Sequence, residues 1–386
     1  MFAVLVVTWY GLEELAPAPP SVAALPSMRA FLAATARLPR WNVVGVGVAQ
    51  LRASPHVAAV AHFGFRMHTA PAVLDAWCAA MDAVNAAAPT ATPLCLWWDH
   101  SAVHAHTFAA MRAARPSVRH GVFNWDPTRE PFALPSARAH CYDFACVSED
   151  APREQQVYTC AVVRAVYPPA DPQRFADWRG VVFRATATAA PAPEPDFDVS
   201  FALTNVYAGM ATGTVPRAAA VRALAAAFGA RFGLFGPPNI GHLAPAAARG
   251  SLPYVQLPWL AATSRVCLCL SAVQTVRRYM NERLVLLLWC GANILCDRVA
   301  GFDDADWLGA DGDVVTYVRD NKDAAALVTQ IRELLAEAPE VTETRRARAR
   351  AFAQRVFGDD AWSRGIVGAA AEAMAAAEAT ATATTS

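Results

Sequence analysis

The sequence predicts an α/β protein built from two doubly wound domains, and three observations carry that prediction. At 386 residues the chain exceeds what one ordinary core fills. Hydrophobic residues make up 55% and charged residues 17%, a composition suited to strands buried on both faces. Short apolar runs that end in polar residues alternate with segments of helical spacing, the pattern of a mainly parallel sheet. That pattern is interrupted by a Pro/Ala-rich stretch and then restarts.

The first run, Phe2–Val7 in "MFAVLVVTWYGLEELAP", reads as a strand ending near Thr8; it lacks a basic flank and is not expected to be a signal peptide. Trp41–Val48 ("WNVVGVGV") reads as a second strand and Pro71–Ala88 as a helix. Leu94–Trp98 ("LCLWW") ends at Asp99 and His100, His120–Trp125 ("HGVFNW") ends at Asp126, and Phe144–Val147 ends at Ser148, Glu149 and Asp150. "ATATAAPAPEPDFD" has linker composition and no hydrophobic period. Beyond it come a strand at Phe197–Leu203, a helix at Val215–Phe228, a strand at Phe232–Phe235 and a Pro/Gly-rich loop through Gly250. Arg265–Leu270 ("RVCLCL") and Val314–Val318 are further strands, Asp323–Ala336 a helix, and two last helices span about 342–357 and 361–376. The expected organisation is a domain over 1–180, a linker over 181–196, a domain over 197–376 with its final helices packing back, and a disordered low-complexity tail over 377–386.

"NERLVLLLWCGANILCDRVAG", 281–301, sets an Asn-Glu-Arg triplet against an apolar run. The uncharged part, Leu284 to Cys296, is shorter than the roughly 20 residues a membrane span requires, so no span is expected. It reads instead as a buried helix that stops at Gly291 and hands over to a buried strand, Ala292–Asp297. Open α/β sheets bind ligands beyond the carboxyl ends of their strands. Those ends hold Asp99, His100, Asp126, Ser148 and Glu149 in one half, and Thr204, Asn205, Tyr207, Gly236 and Ser271 in the other. Lys+Arg and Asp+Glu both number 33, so no net field draws nucleic acid or an anionic membrane, and a polyanion needs a local cluster. Nine cysteines without close pairing read mostly as small core residues, pointing to a reducing cytoplasm.

The ordered series "DVSFALTNVYAG", "RFGLFG", "RVCLCLSA", "NERLVLLLWCGANILCDRVAGFDD" and "DVVTYV" resembles the C-terminal half of GT-B glycosyltransferases. With "FNWDP" and "VYPPADPQRF", the resemblance is greatest to the spore-maturation (CgeB-like) branch, which includes proteins of large DNA viruses. It spans roughly 120 to 376 and implies two Rossmann-like domains facing each other across a cleft. It further implies sugar transfer from a nucleotide-sugar donor held by the C-terminal half to an acceptor held by the N-terminal half: a glycan, protein or lipid. No cofactor and no metal are expected, because members of this kind stabilise the departing diphosphate with cations and helix N-termini. The location implied is cytoplasmic, in a host or virion if the protein is viral. Donor contacts then fall on Asn205, Tyr207, Gly236, Arg278, Asn281, Glu282 and Arg283, with Asp303 or Asp304 at the sugar end. Spacing alone equally allows Arg277, Arg278 and Arg283 to be solvated or paired with acids; the resemblance favours a donor role for Arg283.

One position departs from the family. A Glu common three residues after the helix arginine is Leu286 here, and Glu282 lies one turn earlier on the same face, either reaching the donor or only favouring the helix start. Asp99, His100 and Asp126 are the acid/base candidates on the acceptor side; each also suits a strand-end cap or Asx turn. "DHSAVHAH" places His100 and His104 at metal-binding spacing but offers no distal ligand. Trp97, Trp98 and Trp125 suit either a sugar-stacking face or the core. The arginines of "TETRRARARAFAQR" suit an interdomain or solvated helix better than a nucleic-acid stripe. A catalytically inactive scaffold and an epimerase-like enzyme are the rival functions on the same fold.

Overall fold

The computed structural model describes residues 1–8, 12–13, 17–64, 70–98, 105–125, 141–150, 157–186, 194–203, 217–271, 274–320 and 323–385. Its frame is two sheets of six strands, paired in parallel throughout. The first contains β1 (Phe2–Thr8), β2 (Val57–Gly64), β3 (Thr92–Trp98), β4 (Arg119–Asn124), β5 (Phe144–Val147) and β6 (Val162–Ala165), in the order β2-β1-β3-β4-β5-β6. The second contains β7 (Phe197–Ala202), β8 (Phe232–Phe235), β9 (Ala248–Gly250), β10 (Ser264–Cys269), β11 (Ile294–Cys296) and β12 (Thr316–Tyr317), in the order β12-β11-β10-β7-β8-β9. Read from β9, that is the 3-2-1-4-5-6 order of dinucleotide-binding sheets, and its switch point falls between β7 and β10.

Strand periodicity explains the layering. Along β1, Ala3, Leu5 and Val7 face one core with Trp77, Cys95 and Trp97, whereas Val4 and Val6 face another with Leu94, Leu96 and Trp98. The second of these cores continues without a break into the inner face of the other sheet, through Phe197, Cys267, Cys269 and Ile294. Val199, Phe201, Val266 and Leu268 face a third core on the outer side. Both sheets are thus covered on both faces, which is why their strands read as apolar runs rather than alternations.

The structure corrects several expectations. "WNVVGVGV" is not a strand: Val43–Ala53 is a helix, started by Asn42, whose side chain accepts from the Gly45 N–H at 3.1 Å. A run that is apolar on every side carries no period, so helix and strand cannot be told apart from it. The close packing explains its glycines, since a Cβ on Gly47 would meet the Trp98 ring at 2.8 Å. The strand beside β1 is instead β2, an Ala-rich, half-exposed edge. Part of the expected linker is a helix, Arg179–Thr186, and the last helix runs over Ala361–Thr385 instead of stopping at 376. The short β6, β9 and the helix Leu257–Thr263 were not read from the sequence.

The final helix returns to the first sheet and packs on β4, β5 and β6, with Trp362 against Trp98 at 5.1 Å. The preceding helix, Pro339–Phe357, carries the arginine-rich run. Arg345 binds Glu337 through two contacts of 3.0 Å and Asn293 at 2.9 Å, and Arg346 donates to the Ser264 carbonyl at 3.1 Å. Arg350 pairs with Asp177 at 2.8 Å, tying the helix to the segment that follows β6. Arg350 thus joins the helix to the first half of the chain, Arg345 and Arg346 hold it to the second, and all three are engaged within the protein rather than along a nucleic-acid stripe.

Candidate functional site

A cavity of about 420 Å³ opens where the second sheet's switch point faces the first sheet. Ala202 and Leu203 at the end of β7, Phe235 and Gly236 at the end of β8, and Ser251 just after β9 form one side. Asn281, Glu282 and Arg283, at the start of the helix Glu282–Trp289, form another, and Trp125 at the end of β4 reaches in from the first sheet.

Gly236 belongs here for a steric reason. A Cβ at this position would lie 2.6 Å from the Leu203 carbonyl oxygen, so only glycine lets the ends of β7 and β8 run this close. Its N–H donates to the Gly250 carbonyl at 3.0 Å, which fixes the rim.

The helix is built to hold its N-terminus at the cavity. Asn281 is its cap: Oδ1 accepts from the Leu284 N–H at 2.9 Å. Glu282 sits in the first turn, where a carboxylate favours the helix dipole. Leu284 to Trp289 are all buried, and Gly291, at φ +62°, ends the helix. The Ala292 N–H donates to the Leu287 carbonyl and the Gly291 N–H to the Leu288 carbonyl, both at 3.0 Å, a glycine-dependent stop. The polar triplet therefore faces the cavity while the apolar remainder anchors it. Leu286, at the position where the resemblance implies Glu, is fully buried in the core and does not line the cavity.

Arg283 is half-buried, and its Nη1 is enclosed with no hydrogen-bond partner among the described residues. Arg277 and Arg278 have a different environment. Arg278 contacts Asp304 at 2.8 Å and Asp306 at 2.7 Å and lies 3.7 Å from Asp150; its guanidinium covers the Trp307 ring at 4.8 Å. Arg277 contacts Asp304 at 2.5 Å and Asp150 at 3.8 Å. Arg278 adopts φ +50°, costly by roughly 1–2 kcal/mol for a side chain with a Cβ. That conformation is held by its N–H donating to the Ala300 carbonyl at 2.7 Å and by the Tyr167 hydroxyl donating to its carbonyl at 3.3 Å. Asp150 and Tyr167 come from the first half of the chain, so the cluster is a bridge between halves. Arg278, Asp303 and Asp304, expected at the donor, do not line the cavity; Asp303 lies 3.7 Å from Arg298. The physical reason is mutual neutralisation: the acids sit on the loop after β11, within reach of these arginines.

Asp297, the residue after β11, was not singled out in the sequence. It is buried, accepts from the Ser271 N–H at 2.6 Å, and burial pushes its carboxyl up to about 7 against that hydrogen bond. The cysteines nearby are core groups; burial raises the Cys269 thiol, which the cavity chemistry does not use. Trp97 and Trp98 are core residues, each 1% exposed. Five expected site residues, Asp99, His100, Asp126, Asn205 and Tyr207, lie outside the described residues, as does His104. Among the described residues no three His, Cys, Asp or Glu side chains converge on a metal-sized site, and no helix is long and apolar enough to cross a membrane.

With this geometry in place, comparisons with known proteins agree on the architecture. Residues 217–364 match the family model described as "Glycosyl transferase-like". No curated protein matches the chain. Sucrose-phosphate synthase from Thermosynechococcus elongatus superposes with a TM-score of 0.58 at 14% identity, over 97% of this chain and 99% of that one. HepE from Anabaena, solved with UDP and glucose, gives 0.57 at 9% identity over 96% and 99%. A glycosyltransferase from Rickettsia africae gives 0.53 at 9% identity over 96% and 98%. The fold is GT-B: two Rossmann-like domains facing each other across a cleft.

Proposed function

We propose that this GT-B protein is a glycosyltransferase that moves a sugar from a nucleoside-diphosphate donor to an acceptor without a bound metal ion. The observation that carries the reading is Arg283: a half-buried cation with an unpartnered Nη1, at a capped helix N-terminus, on the wall of the cleft cavity. Breaking the bond between the sugar's anomeric carbon and the donor's β-phosphate leaves negative charge on the diphosphate. A guanidinium and the first-turn N–H groups of a helix stabilise that charge with no proton transfer. The glycosyl transferase-like match over 217–364 includes this helix, and the UDP in the HepE complex supports a uridine nucleotide as the donor class.

Gly236 and the end of β9 fit the nucleoside side of the donor, and Glu282 fits a ribose or sugar hydroxyl. Asp99, His100 and Asp126, which follow β3 and β4 in the sequence, remain the proposed source of an acceptor base. The CgeB-like branch is the proposed placement within the fold, on "FNWDP", "VYPPADPQRF" and the 281–301 stretch. The cytoplasm, of a host if the protein is viral, is the proposed location.

A second reading is favoured by one observation. Leu286, fully buried, leaves no carboxylate at the family position, which suits a scaffold that binds without turnover. Calorimetric titration with UDP in EDTA, followed by product analysis over a panel of nucleotide sugars, tests both. Binding without metal and sugar release or transfer supports the enzyme. Binding without turnover supports the scaffold, and binding that requires Mn²⁺ contradicts the metal-free mechanism.

A further inference from the structure

The cavity has two unlike walls. Among the described residues the second half of the chain supplies every lining residue but one, and that one is Trp125. It stands at the end of β4, on the sheet opposite Arg283 and Glu282.

Trp125 is half-exposed, unlike its neighbours Trp97 and Trp98. It is nonetheless held firmly. Trp98, itself braced by Phe123 and Trp362, meets the Trp125 ring edge to face at 5.8 Å. The Ser148 hydroxyl donates to the Trp125 carbonyl at 2.6 Å, fixing the backbone just beyond the strand. A large aromatic ring, supported from behind and facing a cleft, loses little freedom when a ligand covers it.

From this arrangement we infer that Trp125 is a stacking platform for the acceptor, and that the acceptor is a saccharide presented by the face of a pyranose ring. The inference rests on the reading of the cavity as a sugar-transfer site and adds to it the acceptor's chemical class. A pyranose has an apolar face of C–H groups and a rim of hydroxyls. The cavity offers a surface for that face in the Trp125 ring, with Leu203 and Leu257 beside it, while Glu282 and Arg283 stay with the donor. A donor nucleoside is served by the second half alone, through the ends of β8 and β9, and has no need of a ring from the first. A flexible peptide or lipid chain gains little from one rigid, flat surface.

The test uses saturation-transfer NMR with a panel of methyl pyranosides, in the presence of UDP, on wild type, Trp125→Ala and Trp125→Phe. Calorimetry with UDP runs on the same samples. The expected result is that at least one pyranoside binds wild type with saturation greatest at its ring C–H protons. Trp125→Ala should weaken it about tenfold or more, and Trp125→Phe should stay within about threefold. UDP affinity should be unchanged in both variants, which also shows that they fold. A wild type that binds UDP but no pyranoside overturns the inference, as does a Trp125→Ala protein that binds the pyranoside equally well. UDP affinity that falls in step with pyranoside binding would move Trp125 to the donor side and overturn it too. A wild type that binds pyranoside through Trp125 but no UDP leaves the platform standing and overturns the donor reading instead.

Discussion

Three arginines lie within seven residues of one another in "RRYMNER", and the fold puts them in opposite electrostatic situations. Arg277 and Arg278 are neutralised by Asp150, Asp304 and Asp306 and join the two halves of the molecule. Arg283, five residues after Arg278, has its Nη1 enclosed with no partner among the described residues and lies on the wall of the cavity. In the first arrangement both charges have acidic partners, although Arg278 Nε is itself buried without a hydrogen bond among the described residues. The second leaves a buried donor that an anion would satisfy, and leaving such a group unmatched costs about 1–3 kcal/mol or more when it is charged. The comparison teaches that function follows from which charge the fold leaves unneutralised, and the local sequence does not say which.

The largest effect should come from breaking the Arg283 side of the comparison. Arg283→Ala should lower UDP affinity by about one to two decades, from the loss of a charge-assisted contact of about 1.5–3 kcal/mol. Its melting temperature should stay close to wild type. Arg278→Ala should do the reverse, reducing thermal stability while UDP affinity stays within about twofold. Calorimetry and thermal melts on both proteins decide it; matching profiles for the two variants would erase the distinction.

The helix cap ranks next. Asn281→Ala removes the acceptor for the Leu284 N–H and should cost about 1 kcal/mol of stability. It should also weaken UDP modestly, because the frayed turn carries Arg283. Asn281→Asp, which still caps, should recover the stability.

Glu282→Gln then separates a ligand contact from a dipole effect. A carboxylate acting only on the helix dipole contributes about 0.3–1 kcal/mol of stability and leaves donor binding alone. Glu282 is expected to do more, so that the variant loses nucleotide-sugar affinity or turnover while binding UDP normally. Unchanged kinetics would confine it to the helix start.

The smallest effect is a titration. Its hydrogen bond to Arg278 holds the Asp306 carboxyl below the usual range. A depressed folded-state value means that its contribution is present above about pH 4, the unfolded value, and is lost as pH falls through the folded one. The melting-temperature gap between wild type and Arg278→Ala should therefore narrow as pH drops from 7 toward 3. A gap that stays constant would show that the acids are not what stabilises Arg278.

Much of the second half was legible because its signals are local. β8 matches its expected bounds, and the helix at Glu282 announces itself by an Asn cap, an apolar run and a terminating glycine. Asn281, Glu282, Arg283 and Gly236 were placed near the cleft on such grounds, and all four line the cavity. Arg278 and Asp304 do not line the cavity, and the local sequence does not show why, since Asp150, which lies beside Arg278, comes from the other half of the chain. "WNVVGVGV" reads as a strand because an all-apolar run has no period, and its glycines serve contacts that only the fold supplies, Gly47 with Trp98 and Gly45 with Leu12 and Trp41. Trp125 could not be told from Trp97 and Trp98 by type or strand position, because exposure at a strand's end depends on what faces it across the cleft. Asp297 had a faint signal, an acid closing an apolar strand. Its burial and its bond from the Ser271 N–H are supplied only by the fold.

The central claim is that the diphosphate sits at the helix start against Arg283, and a crystal structure with UDP, grown in EDTA, tests it most directly. The account predicts UDP in the 420 Å³ cavity, its diphosphate within hydrogen-bonding distance of the Arg283 guanidinium and the first-turn N–H groups, with the Arg278–Asp304–Asp306 cluster intact. A diphosphate that displaces those acids to bind Arg277 and Arg278, or that makes no contact with the Arg283 guanidinium, would contradict it.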